Sequence, residues 1–332
     1  GKVMNEGWDL SLDAGRIYST KLFGKEFSVG GNINFSDNTN QVLEMNDVIL
    51  KSWQKEYDYS RHGSGSYLSY VALKNSYGSM YGFKFKGVYQ YSDYSEVEVP
   101  GVSGPNAPVV KDAEGNIITN SKGMPKKMAY GYGKLSGNPY YFVGGDVAYE
   151  DINHDGNIDE LDIVYLGSSL PKINGGFSLR MSWGRLSWNN SFNFRWGNKI
   201  VNASRLEAEA PRTLRNVMAA INRRWRVEGD VTDVPRALYD WGYNDLGSDR
   251  FVESGSFLRW NSTSFSYSLN PQFVKKLHLS SLSFNFNLNN LVTWTKYTGL
   301  DPEVSAGRGQ VATDNSRTPR SRRVTFGVNV QF

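Results

Sequence analysis

The stretch GGFSLRMSWG (175–184), followed at once by RLSWNNSFNFRWG (185–197), decides the fold. In its first half Phe177, Leu179, Met181 and Trp183 alternate with Ser178, Arg180 and Ser182. In its second half Leu186, Trp188, Phe192, Phe194 and Trp196 alternate with Ser187, Asn189, Ser191, Asn193 and Arg195. Successive side chains of a strand point to opposite faces, so each half has one apolar, aromatic-rich face and one polar face. Gly184 and Arg185 leave room only for a tight turn, and the two halves read as a long β-hairpin. Each ribbon has about ten residues, longer than the five or six usual in a soluble sheet and enough to cross a bilayer while tilted. Such a ribbon suits a wall with lipid on one side and water on the other.

The composition agrees with a barrel. The 332 residues include 20 Tyr, 17 Phe, 9 Trp and 34 Gly. Mean hydropathy is −0.50, which does not count against a transmembrane barrel, because a barrel is apolar only at every second residue of each strand. No apolar run approaches the roughly 20 residues of a membrane-spanning helix, so helical spanning is excluded. Cysteine is absent, and disulfide and thiolate chemistry go with it. The net charge of +4 is small and its basic residues are scattered, which gives nucleic-acid binding no support. Residues 1–5 lack the charged and apolar regions of a signal peptide; the chain reads either as a mature start or as part of a longer one.

Further period-two segments run from Gly7 to Tyr18, Glu26 to Asp37, Tyr67 to Tyr77, Met80 to Ser92, Phe257 to Leu269, Ser281 to Leu291 and Arg322 to Phe332. With the hairpin they make nine candidate strands. The gaps between them alternate in length: those at 19–25, 78–79, 184–185 and 270–280 are short, whereas those at 38–66, 93–174, 198–256 and 292–321 are long. Outer-membrane barrels have this asymmetry, with short periplasmic turns and long extracellular loops. A periplasmic C-terminal residue then puts every long gap outside. Nine strands are odd where single-chain bacterial barrels are even, so the sequence is expected to be the C-terminal part of a larger barrel. Within 198–256, the spacing of Leu206, Leu214, Val217, Met218, Ile221 and Trp225 predicts a short loop helix after Pro211.

The sharpest local motif is DINHDGNIDELD (151–162). It places Asp151, Asn153, Asp155, Asn157, Asp159 and Asp162 at the ligand positions of an EF-hand calcium loop, with Gly156 at the sharp turn. Hard Ca²⁺ takes six to eight oxygens, and this spacing wraps them around one point. Asp162 stands where the template has a bidentate Glu, and flanking helices are not evident. The alternative is an acidic loop that holds itself by Asx turns without metal. A structural Ca²⁺ is the expectation, not a catalytic one. Among loop aromatics, Trp225, Trp241 and Tyr243 are candidates to stack on sugar rings or peptide side chains; packing loops together is the competing role. Lys84, Lys86, Arg180 and Arg195 fall on polar faces and are expected to line a lumen. His62, His154 and His278 occur in unrelated contexts, no Gly-rich phosphate loop follows a strand, and no catalytic residue is assigned.

Several ordered motifs resemble those of SusC/RagA-type TonB-dependent outer-membrane transporters. They are Gly145-Asp146 through Asn153, Gly167 through Pro171 to Gly176-Phe177, Asn222 to Trp225, Pro235-Arg236, Ser248 to Arg259, Asn289 to Leu291, Gly299 to Glu303, Pro319 to Arg322, and the final Phe332. The resemblance covers nearly the whole chain. It implies a transmembrane antiparallel β-barrel of 22 strands with an N-terminal plug, of which this chain, residues 1–332, holds about nine strands, with 93–174 and 198–256 as large extracellular loops. The plug and the earlier strands are outside it. It further implies import of oligosaccharides or oligopeptides across the outer membrane, driven by TonB, under a SusD-like surface lipoprotein. Two other classes remain in play: a soluble, secreted β-sandwich that binds glycans, whose apolar faces would pair in a core, and a passive porin or adhesin barrel without a plug or partner.

Overall fold

A computed structural model describes residues 1–46, 48, 67, 73–90, 108–123, 125–135, 138–210, 216–239, 242–304 and 310–332. In chain order its strands are β1 (Lys2–Leu22), β2 (Lys25–Glu44), β3 (Ser79–Gly82), β4 (Phe85–Val88), β5 (Ala129–Leu135), β6 (Asn138–Tyr141), β7 (Val147–Tyr149), β8 (Asn157–Ile158), β9 (Val164–Ser168), β10 (Ile173–Trp183), β11 (Leu186–Trp196), β12 (Lys199–Val201), β13 (Val252–Ser254), β14 (Phe257–Ser268), β15 (Ser281–Thr295) and β16 (Arg323–Gln331). Among the described residues, α1 (Ala203–Ala208) and α2 (Pro271–Lys276) are α-helices of one to two turns. Seven strands form one sheet in the order β1-β2-β10-β11-β14-β15-β16, and every neighbouring pair is antiparallel. This all-β meander is a wall of the transmembrane barrel type.

The alternation in sequence sets the register. Phe177 lies opposite Phe192, Met181 opposite Trp188 and Trp183 opposite Leu186, so the apolar residues of both strands share a face. Their rings pack across strands: Phe177 on Phe192 at 4.5 Å, Phe192 on Trp260 at 5.6 Å and Trp188 on Phe265 at 5.5 Å, all stacked. Such pairs add about 0.5–1.5 kcal/mol each beyond the area they bury. The opposite face is polar. Ser178 donates to Asn32 Oδ1 (2.8 Å), the Ser28 and Ser182 hydroxyls meet at 2.7 Å, and Arg180 pairs with Asp13 at 2.9 Å. Leu12, Val324 and Phe326 on the apolar face are 56%, 65% and 66% exposed, and no second sheet covers that face among the described residues. An apolar face open to its surroundings is what a lipid-facing wall requires and what a soluble sandwich would hide.

Short and long connections alternate, as expected. Phe23 and Gly24 close β1 onto β2 with φ of 49° and 74°, the left-handed pair of a type I′ turn. Gly184, at φ 58°, precedes Arg185 in the β10–β11 turn, the position that a type II′ turn reserves for glycine. The connection at 269–280 holds α2. The long insertions at 45–172, 197–256 and 296–322 all leave the other end of the sheet.

The wall differs from expectation in three respects. Among the described residues seven ribbons lie in it, where nine were expected. Met80 to Ser92 alternates in sequence but forms the short β3 and β4, which pair with β9 and β7 inside the first insertion. Gly87, at φ 127°, interrupts the ribbon where the β4–β7 register slips. Tyr67 to Tyr77 lies mostly outside the described residues, and 73–77 is turn. Conversely, β1 and β2 reach 21 and 20 residues, β1 starting at Lys2, before Gly7, and β2 ending at Glu44, past Asp37. Their outer ends mix polar residues with the adjacent apolar pairs Val3-Met4 and Val42-Leu43, so alternation gives no signal there; the ladder continues on backbone pairing, with Asn40 donating to Asn5. Finally, the helix of the second insertion is α1, before Pro211, with the Asn202 side chain capping Arg205 N–H at 3.0 Å. Residues 219–223, after it, form only a 3₁₀ turn.

Candidate functional site

The first two insertions build one lobe beyond the wall. Its core is aromatic: Phe83, Met128, Tyr130, Tyr140, Phe142, Val147, Tyr149 and Ile158 from the first insertion close around Leu246 from the second. Backbone bonds join the two, with Phe83 N–H donating to Gly247 O (2.8 Å) and Asp249 N–H to Phe83 O (3.1 Å). The Tyr149 hydroxyl donates to Tyr243 O (2.9 Å) and accepts from Leu246 N–H (3.1 Å), and burial pushes its pKa far above the ordinary tyrosine value. The lobe is tied to the outer end of β2 by Val42, whose N–H donates to Asn75 O (3.1 Å) and whose carbonyl accepts from Lys74 N–H (2.8 Å).

Three ionic clusters brace the insertions: the first joins the first insertion to the second, the second lies within the second, and the third ties β14 to the third. In the first, Asp146 is fully buried. Its carboxylate accepts from Arg236 Nε (2.6 Å), from the Tyr140 hydroxyl (2.8 Å) and from Val143 N–H (3.0 Å). Burial, then the Asp146 charge, raises the Tyr140 phenol well above its usual value. In the second, Glu209 receives Arg205 Nε and Arg250 Nη2, both at 2.8 Å, and Arg205 also reaches Glu253 at 3.4 Å. Arg250 stacks its guanidinium on Phe251 at 4.7 Å. In the third, Arg259 of β14 pairs with Asp301 and with Glu303 (3.2 Å), and Arg320 closes on Glu303 at 2.8 Å. Buried ion pairs of this kind are costly to break one-sidedly, by about 3–5 kcal/mol. Apart from Arg205 and Glu209, which fall in none, these ion-pair residues belong to the sequence motifs above; Glu209 reads from sequence as part of a solvated face but is buried, and the pairing was not readable from spacing.

The acidic loop packs against the core through Ile158, with Gly156 at φ 84°. A Cβ at Gly156 would lie 2.6 Å from Val110 Cγ2. Asp151 accepts from Asp155 N–H (3.2 Å) and Gly156 N–H (2.8 Å), Asn153 Oδ1 from Asp155 N–H (3.0 Å), and Asp155 Oδ1 from Asn157 N–H (2.8 Å). Asp159 caps Leu161 N–H at 2.9 Å. Asp162, fully buried, accepts from Ile152 N–H (2.7 Å) and Asp159 N–H (3.0 Å), clasping the two ends of the loop. Burial, then mutual repulsion, raises Asp151 and Asp159 above the ordinary aspartate range and pushes Asp162 up to about 6. Among the described residues no group of three or more His, Cys, Asp or Glu is gathered as a metal centre would be. The donor set is still that of a hard cation, because a carboxylate oxygen that accepts one N–H retains a second lone pair.

Two of the three aromatic candidates fall inside the lobe. Trp225 is 4% exposed, its ring lying on Gly145, where a Cβ would come within 2.3 Å of the ring, and its Nε1 donates to Gln90 Oε1 (3.0 Å). Tyr243 is half-buried against Tyr130 and Tyr140, at 4.2 and 5.0 Å. Trp241 lies outside the described residues. Lys84 and Lys86 are in the lobe rather than the lumen, at 3.7 and 3.3 Å from Glu150. Arg180 does lie on the polar face of the wall, beside Asp13.

Comparison with known proteins gives a consistent picture. No protein-family model matches the chain. TonB-dependent receptors P39 and P3 of Formosa agariphila are 29% and 24% identical to it, over all of this chain and 30% and 29% of their own length. The chain thus spans about a third of the length of the curated relatives it matches. Among solved structures, the RagAB peptide transporter superimposes with a TM-score of 0.62 at 20% identity, over 99% of this chain and 29% of that one. The RagAB peptide importer in its open-open state gives 0.61 at 19%.

Proposed function

We propose that this chain, a stretch of a SusC/RagA-type TonB-dependent transporter, serves an outer-membrane importer of oligomeric nutrients, either oligosaccharides or oligopeptides. The observation that carries this reading is the seven-stranded wall, with one aromatic face open and one polar, and with every long insertion at the same end. The wall spans the bilayer, its polar face lines the passage, and the lobe stands outside. Energy comes from TonB through a plug, in the part of the relatives that this chain does not span. A SusD-like lipoprotein covers the lobe side. Trp225, Trp241 and Tyr243 serve the substrate side of the lobe, Trp225 from within, by holding Gly145 and the Asp146–Arg236 pair in place. No residue does covalent chemistry. Purification of the full-length protein from its native membrane, with mass spectrometry of what accompanies it, tests the reading. A surface lipoprotein and a bound oligomer are expected; recovery from the soluble fraction would overturn it.

We infer also that Asp151, Asn153, Asp155, Asn157, Asp159 and Asp162 hold a structural Ca²⁺. Support comes from their spacing, the left-handed Gly156 and the burial, together with mutual repulsion, that raises three of the four carboxyls. A divalent cation favours the charged form of each and so offsets both. The midpoint of thermal unfolding should fall when Ca²⁺ is chelated from the wild type and should not respond in an Asp151→Asn/Asp155→Asn double variant. A wild type indifferent to chelator sinks the proposal.

A further inference from the structure

The end of the wall away from the lobe has a chemistry of its own. Its short connections are stitched side by side: Gly184 N–H donates to Glu26 O (2.8 Å), Ser268 N–H to Arg185 O (3.1 Å) and Ser280 N–H to Gln331 O (2.7 Å). The resulting rim is basic. Lys21, Lys25, Arg185, Lys275 and Lys276 are all exposed along it, and the carboxylate beside them, Glu26, is engaged by Arg16 at 3.1 Å. It is also aromatic. Phe23, 86% exposed, meets Trp183 edge-on at 6.4 Å. The Lys25 ammonium lies over the Trp183 ring at 5.0 Å, and that of Lys276 over Phe273 at 5.8 Å.

Two of the three turns close with two residues, and the third holds α2 although a hairpin needs no helix. The helix is well made: Asn270 Oδ1 caps Gln272 N–H at 3.0 Å, Pro271 opens the first turn, and Val274 is buried. Phe273 and Leu277, one turn apart, remain 62% and 56% exposed, with Lys275 and Lys276 beside them. Trp183 belongs to the apolar face of the wall, so the rim continues the lipid-facing surface into a band of rings and ammonium groups. Paired apolar and cationic side chains at that level suit an interfacial segment, whose rings sit among glycerol and ester groups while its cations reach phosphate.

We propose that this rim binds anionic phospholipid headgroups of the leaflet it borders, with Lys25, Lys275 and Lys276 on the phosphates and Phe273 and Leu277 among the acyl ends below. The proposal rests on the wall being in a bilayer, as argued above. Each lysine near an anionic surface strengthens binding by roughly fivefold. The test uses the full-length protein in nanodiscs of phosphatidylethanolamine, alone or with one quarter phosphatidylglycerol, and counts lipids retained on the protein by native mass spectrometry. The wild type is expected to retain phosphatidylglycerol over phosphatidylethanolamine at a ratio at least tenfold that of the disc. Lys25→Gln/Lys275→Gln/Lys276→Gln is expected to lose most of that enrichment, and Phe273→Ser/Leu277→Ser part of it. Lys111→Gln/Lys122→Gln in the lobe should keep it. A wild type without preference, or a rim triple variant that keeps its phosphatidylglycerol while losing a co-purifying protein, overturns the rim proposal alone. Failure of the wild type to enter either disc overturns the membrane reading and this proposal with it.

Discussion

Asp146 concentrates the cost of getting one side chain wrong. Its carboxylate serves a guanidinium, a phenol and a backbone N–H at once, in full burial. Asp146→Asn removes the buried carboxylate charge that Arg236, the Tyr140 phenol and Val143 N–H share, and is expected to destabilise the lobe by about 3–5 kcal/mol, seen as faster amide exchange in β5 to β7 with the wall unchanged. Asp162 gives a dependence on pH. With Ca²⁺ chelated, its pKa of about 6 lies above the ordinary 3.8, so the folded lobe binds this proton more tightly than the unfolded chain does. Its contribution is fully present below the ordinary value and is lost as pH rises through about 6. Melting of the chelated protein at pH 4 and pH 7 should therefore show the higher midpoint at the lower pH, and Asp162→Asn should narrow the difference. At this scale the sequence supplied the acidic loop by spacing alone, because its contacts are local. It could not supply the pairing of Asp146 with Arg236, 90 positions away, since nothing short of the fold brings them together.

Among elements, the strands of the wall were legible because burial on one face only imposes a period of two. That rule has a limit. Met80 to Ser92 obeys it yet turns into the lobe, where β3 and β4 find partners within their own insertion. An alternating ribbon reports a one-sided environment, and the edge of an aromatic core is as one-sided as a membrane. Two changes probe the wall itself. Phe177 sits near the middle of β10 on the apolar face, so Phe177→Arg is expected to cost roughly 2–4 kcal/mol, read from urea titration of the full-length protein folding into vesicles. Gly30 faces the Gly15 carbonyl so closely that a Cβ would approach it to 2.2 Å, at the register shift between Ala14 and Tyr18. Gly30→Val should separate β1 from β2 locally and expose β2 amides to exchange.

For the whole molecule, the decisive asymmetry is that of its two ends: insertions with an aromatic core at one, turns with rings and cations at the other. The membrane reading predicts that the full-length protein fractionates with outer membranes, resists extraction by high salt or alkali and needs detergent for release. The lobe also constrains how such a protein can change over time. Its interior is shared between segments that flank the β10–β11 hairpin, so neither segment encloses a complete hydrophobic interior alone. Transplanting one of them onto a foreign wall would leave the aromatic core open where Leu246 closes it, or Leu246 stranded without that core. The two should therefore be inherited, exchanged and diversified together, with the hairpin between them as the fixed spine of the cassette.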